Sequence, residues 1–396
     1  MGILDFFKRK PTPAAFADIV MKEARKRGFD GPMEFDEANF RILMGSDNVV
    51  NLHNYYHDYC QASRAGRANV MAKYANLFVR NEIPASFAAA RRNLLPVLRT
   101  RAFQQAAGLG PAPPRGGAEG GFATTAFSDD TVLMLAYDSE HVTHVLGAGQ
   151  LVEWGVAVAE ANAVALDNLR DLGAEKFVQI SPALFASDWN DAYDSSRLLL
   201  PDLVHRVAGT QPVAMIPTRG RMLLSASRTK EDLLELVRCA GMAIDDEGRR
   251  VSTVMYAFID GRAERFVPED EEVARALDDL RRKALQEDYA DQKHLLDQHY
   301  EKEGVDLFVA SYMLYKGDDE RLFSVTVWTE GVETLLPCAD RVAFGRLDEG
   351  GKGHHAGIVG WEQVVAAAGH LMTPEPDTYP VRYRVSRFPE LASLGL

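Results

Sequence analysis

The sequence predicts an α+β protein. Mixed and antiparallel sheets carry packed helices, in two to three subdomains with an acidic helical connector. Three observations lead there. Between residues 123 and 268, strand-like pairs alternate with single helical stretches, whereas a doubly wound parallel fold would alternate strands and helices singly. Residues 269–303 read as strongly helical and hold twelve acids against six bases. Residues 108–121 hold six glycines and three prolines, a composition that neither a helix nor a ladder tolerates.

Taken in order, residues 1–13 are expected as a flexible N-terminal segment cut off by Pro11 and Pro13. A small N-terminal α+β domain follows over 14–105. Its helix at 14–28 rests on Phe16, Ile19, Val20 and Ala24 at helical spacing, with Gly28 as the stop. Residues 33–44 read as a hairpin turning at Glu37-Ala38-Asn39, 49–52 as a strand, 55–82 as one helix or two, and 94–99 as a short strand. A Gly/Pro-rich loop spans 106–122. Its glycines miss the dinucleotide pattern, because Pro113 stands where the third glycine is required.

The central α+β domain spans 123–268. Strands are expected at 132–137 and 142–146. Residues 151–172 read as one helix with a continuous face from Val152 to Leu169 and Gly173 at its end. Strands at 177–180 and 183–185 precede a helix at 195–207. A strand pair at 213–216 and 222–226 turns at Pro217-Thr218-Arg219-Gly220. Thr229 N-caps a helix at 230–240, and a hairpin covers 253–259 and 263–267. In the acidic connector, 269–303, the stripe Val273, Leu277, Leu280, Ala284 fails at Asp288 and Asp291. A second stripe of Leu285, Tyr289, Leu296 and Tyr300 replaces it, which predicts a kink or two helices. Residues 304–396 are expected as a C-terminal α+β module with strands at 307–315, 322–329 and 381–385 and a helix at 361–371.

Composition excludes several classes. Hydrophobic residues are 46% and charged residues 26%, which is globular rather than disordered. No apolar run is long enough to span a bilayer. Cys60, Cys239 and Cys338 form no C-x-x-C, and three thiols in 396 residues fit a reduced, cytoplasmic protein rather than a disulfide scaffold. The net charge of −13 is unevenly spread: residues 1–105 carry +6 and the remainder −19. From Cys60 to Arg101 the only acid is Glu82. Arg64, Arg67, Arg91, Arg92, Arg99 and Arg101 there are candidates for binding an anion or an acidic partner. A solvated face is the alternative. No aromatic ladder is interleaved with them, which points away from nucleic acid.

Three stretches could carry chemistry. Asp188, Asn190, Asp191, Asp194, Ser195 and Arg197 form the most unusual polar run. Its three carboxylates suggest a cation site, but Tyr193 stands at the place of the EF-hand glycine and Leu199 at that of its glutamate. The other reading is a turn that caps the next helix. His53, His57 and Cys60 lie at helical spacing and could ligate a metal, but Asn54 replaces the glutamate of H-E-x-x-H and the tyrosines around them favour aromatic packing. Residues 345–353, GRLDEGGKG, miss the phosphate-loop pattern because Gly351 replaces its lysine, so a flexible loop is expected.

The order of elements resembles a bacterial family of domains of unknown function typified by YtpQ, over roughly 15–260. Residues 95–99 look like the family's strand entering its central domain, and 132–146 and 151–172 are similar to its strand pair and following helix. Asn190-Asp191-Ala192-Tyr193-Asp194-Ser195-Ser196-Arg197-Leu198-Leu199 resembles its Gly-Tyr-Asp-Ala-Ser-Arg-Ile-Leu signature, with Ala192 in the place of the glycine. The resemblance implies a domain map and no activity.

The leading expectation is a cytoplasmic, non-catalytic protein that binds a protein or small-molecule partner and carries no cofactor. One alternative is a metal-dependent enzyme acting on a phosphate-containing substrate, with Asp188, Asp191 and Asp194 around the cation. The other is a membrane-surface adaptor using residues 3–10, an apolar tetrad followed by three cations.

Overall fold

The computed structural model describes residues 10–37, 40–44, 48–63, 65–75, 83–109, 121–139, 143–173, 175–318, 320–347 and 353–396. Arg64, the membrane-surface stretch up to Arg9, most of the Gly/Pro-rich loop and the tip of the GRLDEGGKG stretch lie outside the described residues. The fold is α+β, with antiparallel and mixed sheets among the helices. The chain divides into two compact units whose segments interleave. The first takes Met1–Pro96, Ala112–Ala123 and Met134–Leu172; the second takes Val97–Pro111, Thr124–Leu133 and Gly173–Leu396.

In the first unit, helix Pro13–Lys26 starts where Thr12 accepts the Ala15 N–H, and proline at the first position needs no donor there. It packs Phe16, Val20 and Ala24 with Leu52 and with Ile42 of an antiparallel meander, Met33–Asp36, Arg41–Met44 and Asn48–Asn51. Tyr55 completes that core edge-on to Phe16, 4.9 Å between ring centres. A second core gathers Leu94, Leu135, Leu146, Leu151 and Ala161. The helix expected over 151–172 is two, Ala148–Trp154 and Val158–Asp171. Gly155 ends the first in the left-handed conformation, φ +66°, which L side chains avoid. The break resets the helical phase, so Ala161, Ala165 and Leu169 are buried and Val152 is exposed.

The second unit is built on a six-stranded antiparallel sheet. From edge to edge it runs Arg262–Arg265, Met255–Ile259, Val213–Thr218, Arg221–Ser225, Leu184–Ser187 and Phe177–Gln179. Helix Lys230–Glu247, capped by Thr229, packs Leu233, Leu236 and Ala240 against Val213, Met215 and Leu223. Residues 195–207 are not one helix: Ser195–Leu199 is a 3-10 turn, and the α-helix begins at Pro201, whose missing N–H suits only a first turn. Downstream, Leu322–Thr329 pairs in parallel with Arg341–Leu347, which gives the mixed sheet its character. The sequence reading missed that strand together with Thr334–Pro337 and Gly353–Gly360.

The acidic stretch forms one continuous helix, Glu271–Glu303, within the second unit, rather than two. Asp288 does not interrupt its buried face but belongs to it, paired with Arg250, and both side chains are about nine-tenths buried. Burial, reinforced by Asp130 and Asp291 and opposed by Arg250, pushes the Asp288 carboxyl up to about 6. Gln292 sits one turn on and accepts from Arg382 Nε at 2.5 Å. Arg382 is fully buried and also donates to the carbonyls of Ala310 (2.7 Å), Leu335 (3.2 Å) and Tyr289 (3.1 Å). Burial brings its guanidinium down to about 10.

Two outcomes are expected. Arg382→Met leaves several buried acceptors without donors and lowers unfolding free energy by about 3 kcal/mol in chemical denaturation. For Asp288, the folded value lies above the unfolded one, so its protonated form favours the fold. Its contribution is present below about pH 4 and lost as pH rises through 6. Asp288→Asn, which cannot titrate, therefore gains on the wild type by on the order of 2 kcal/mol between pH 4 and pH 7; a pH-independent difference would contradict the buried carboxyl.

Candidate functional site

The polar run at 188–197 is folded into a turn by its own side chains. Asp188 is exposed, and its carboxylate accepts from Asn190 Nδ2 at 2.9 Å. Asn190 and Ala192 both take left-handed backbone, φ +56° and +67°. Asp191 then meets Arg197 through two bonds, Nη1 to Oδ1 at 2.9 Å and Nη2 to Oδ2 at 2.6 Å, and accepts the Tyr193 N–H at 2.9 Å. Burial opposes the charge on Asp191, yet Arg197 and the Tyr193 N–H hold its carboxyl below the usual value. The Arg197 guanidinium, 1% exposed, lies over Trp189 at 4.2 Å. The run is thus the helix-proximal turn of the second reading in part, but no side chain caps the 3-10 turn at Asp194.

Asp194 points elsewhere. It is fully buried, and Oδ1 accepts the Trp189 N–H at 3.2 Å. Burial raises its carboxyl, against the Ser187 hydroxyl beside it and with help from the Asp191 charge. Asp188, Asp191 and Asp194 therefore do not converge, and among the described residues no group of three or more His, Cys, Asp and Glu side chains could hold a metal ion. The same holds for His53, His57 and Cys60 on helix His53–Gln61: His53 is exposed and stacks edge-on to Phe40, 5.1 Å away.

The second half of the run meets one of the candidate arginines. Ser196 Oγ accepts the Leu98 N–H at 3.3 Å, which ties the turn to strand Leu94–Thr100 beside Arg99. Ser195 N donates to the Arg219 carbonyl at 3.3 Å, and Arg219 N donates to the Arg249 carbonyl at 3.1 Å. Arg219 tops the hairpin between Val213–Thr218 and Arg221–Ser225; Arg249 follows Gly248, the left-handed end of helix Lys230–Glu247. Glu247 fastens the two by accepting from Gly220 N at 3.0 Å and from the Thr218 hydroxyl. A side chain at residue 220 would strike Glu247, since a Cβ there would stand 2.7 Å from Oε1.

These contacts gather three guanidinium groups. Arg99 is 5% exposed, and Nη1 donates to the carbonyl of Leu98 at 2.8 Å. Among the described residues its Nε has no hydrogen-bond partner, and neither does the buried Ser195 hydroxyl. Burial drives the Arg99 guanidinium well below its ordinary value, and the charges of Arg219 and Arg249 add to that. Arg219 and Arg249 are half-buried, the first over Phe103 at 5.5 Å. The arrangement offers clustered positive charge and an unpartnered N–H, and the turn that reaches the Arg99 strand also carries the unpartnered Ser195 hydroxyl; positive charge and free donors are the chemistry of an anion site.

The other candidate arginines have surroundings of their own. Arg67 lies over Tyr59 at 4.8 Å, and Arg91 and Arg92 are exposed on a 3-10 turn; all three belong to the first unit. Arg101 is exposed, stacks on Tyr379 at 4.6 Å and donates to the Asp129 carbonyl at 3.3 Å. The sequence reading missed Arg219 and Arg249. No spacing links them to Arg99; the available signals were a charged residue at the tip of a recognised turn and a basic pair after a helix-ending glycine. The chain has no significant match to any protein-family model, curated protein or solved structure.

The left-handed backbone at Ala192 has a direct consequence. Ala192→Gly, which restores the glycine of the resembling signature, relieves that conformation and is expected to raise stability by about 1 kcal/mol in thermal or chemical denaturation. Unchanged or lower stability would contradict the strained turn.

Proposed function

We propose that the chain is a non-catalytic ligand-binding protein whose second unit holds an anionic group, a phosphate or a carboxylate, against Arg99. One observation carries this reading: a guanidinium almost wholly removed from water, flanked by two more, with its Nε unpartnered. An isolated buried cation costs several kcal/mol, and an anion bound beside it offsets that cost while Ser195 supplies a hydroxyl. The metal-dependent alternative draws no support from the placement of Asp188, Asp191 and Asp194. Three free thiols, Cys60, Cys239 and Cys338, support a cytoplasmic setting. No helix among the described residues is long and apolar enough to cross a membrane. The resemblance to the YtpQ-like family remains part of the proposal, since its signature covers the turn that delivers Ser195.

Calorimetric titration of the full chain with inorganic phosphate and with citrate tests the reading. Saturable binding of one equivalent of either anion is expected. Arg99→Met should weaken it at least tenfold, and Arg91→Met with Arg92→Met should leave it unchanged. Binding that survives Arg99→Met in a folded variant, or no saturable heat with either anion, would overturn it.

A further inference from the structure

A cavity of about 440 Å³ opens within the second unit, away from Arg99 in its lining. That volume lies in the range of pockets that enclose small organic molecules. Met255, Phe266, Leu277 and Leu285 supply apolar wall, and the Arg250–Asp288 pair supplies a polar end. The chemistry of that end is specific. Arg250 Nη2 is engaged by Asp288 Oδ1 and by the Ala284 carbonyl at 3.4 Å. Its Nε is buried with no hydrogen bond, and Glu287 Oε2 stands 3.9 Å from it, beyond hydrogen-bond distance. Asp288 Oδ2 accepts no hydrogen bond from the described residues. One ion pair therefore presents one open donor and one open acceptor.

Two of the other acids lining the cavity are already occupied. Asp130 accepts from the hydroxyls of Ser128 (3.1 Å), Thr131 (2.8 Å) and Ser252 (2.8 Å) and from Thr253 N (2.9 Å). Asp129 is bound to Arg265 at 2.6 Å. At this end a ligand meets a paired head rather than a bare charge, so a charged ligand would lose hydration without gaining a counter-ion from that pair; Asp278 and Arg281 also line the cavity.

We infer that this cavity binds a small uncharged molecule with an apolar body and an amide or lactam edge, whose carbonyl accepts from Arg250 Nε and whose N–H donates to Asp288 Oδ2. The inference is independent of the anion site, because the two share no side chain.

Ligand-observed NMR titration of the full chain with benzamide tests it, with benzoate and ethylbenzene as comparators. Saturable binding of benzamide is expected, with benzoate and ethylbenzene at least tenfold weaker. Arg250→Lys removes the open Nε donor and should weaken benzamide at least tenfold. Val267→Trp narrows the exposed rim without touching the ion pair, and should weaken it too should the first variant fail to fold. Benzoate binding as tightly as benzamide would overturn the neutral-ligand assignment. Absent saturation, or benzamide binding indifferent to every folded variant, would overturn the site.

Discussion

A guanidinium taken out of water has to be answered by acceptors, and this protein buries several. Arginine cannot shed its proton at ordinary pH, so the surroundings must adapt to the charge rather than the charge to the surroundings. Arg197 is answered by a carboxylate and an indole face, Arg250 by a carboxylate, and Arg382 by three carbonyls and a glutamine oxygen. Two of these answers fix chain segments far apart in sequence: Arg250 reaches Asp288, and Arg382 ties the strand it sits on to the long helix and to the carbonyls of Ala310 and Leu335. Arg99 stands out because the charges that flank it are the guanidinium groups of Arg219 and Arg249 rather than a carboxylate, and the functional reading follows from that difference.

The same constraint explains why the acidic helix is a core element. Twelve acids over residues 269–303 suggest a solvated rod, yet Asp288, Tyr289 and Gln292 face inward and each meets a group from another part of the second unit. Gln292 donates to Gln105 Oε1 at 2.8 Å, and the same oxygen accepts the Tyr379 N–H at 3.0 Å. A polar stripe on a helix is a packing stripe when the partners are polar and complete.

Much of the fold was readable. Apolar spacing in the first helix, the Thr229 cap and the strand pairs of the central sheet depend on local residues, and local residues are what a sequence displays. The failures share a cause. Gly155 lies inside a stretch whose apolar period continues past it, so only its left-handed backbone reveals the break. Asp288 breaks a hydrophobic pattern but not a helix, because Arg250, 38 residues earlier, supplies its partner. At the site, the polar run and Arg99 were each visible as composition. Their meeting through Ser196 and Leu98, and the roles of Arg219 and Arg249, depend on contacts across about a hundred residues that no spacing encodes.

The interleaving of the two units bears on how the chain reaches this state. During synthesis from the N-terminus, Leu98 emerges 98 residues before the serine that receives its amide, and Gln105 emerges 274 residues before its Tyr379 partner. The first unit is complete in sequence at Leu172, when segments of the second, 97–111 and 124–133, have been made but lack most of the residues they pack with. Those segments wait, with Val97, Leu98 and Val132 destined for burial, until the rest of their unit is made. Such non-local closure slows folding and prolongs the exposure of sticky surface. Neither unit is a contiguous stretch of chain, so neither can be excised by a single cut.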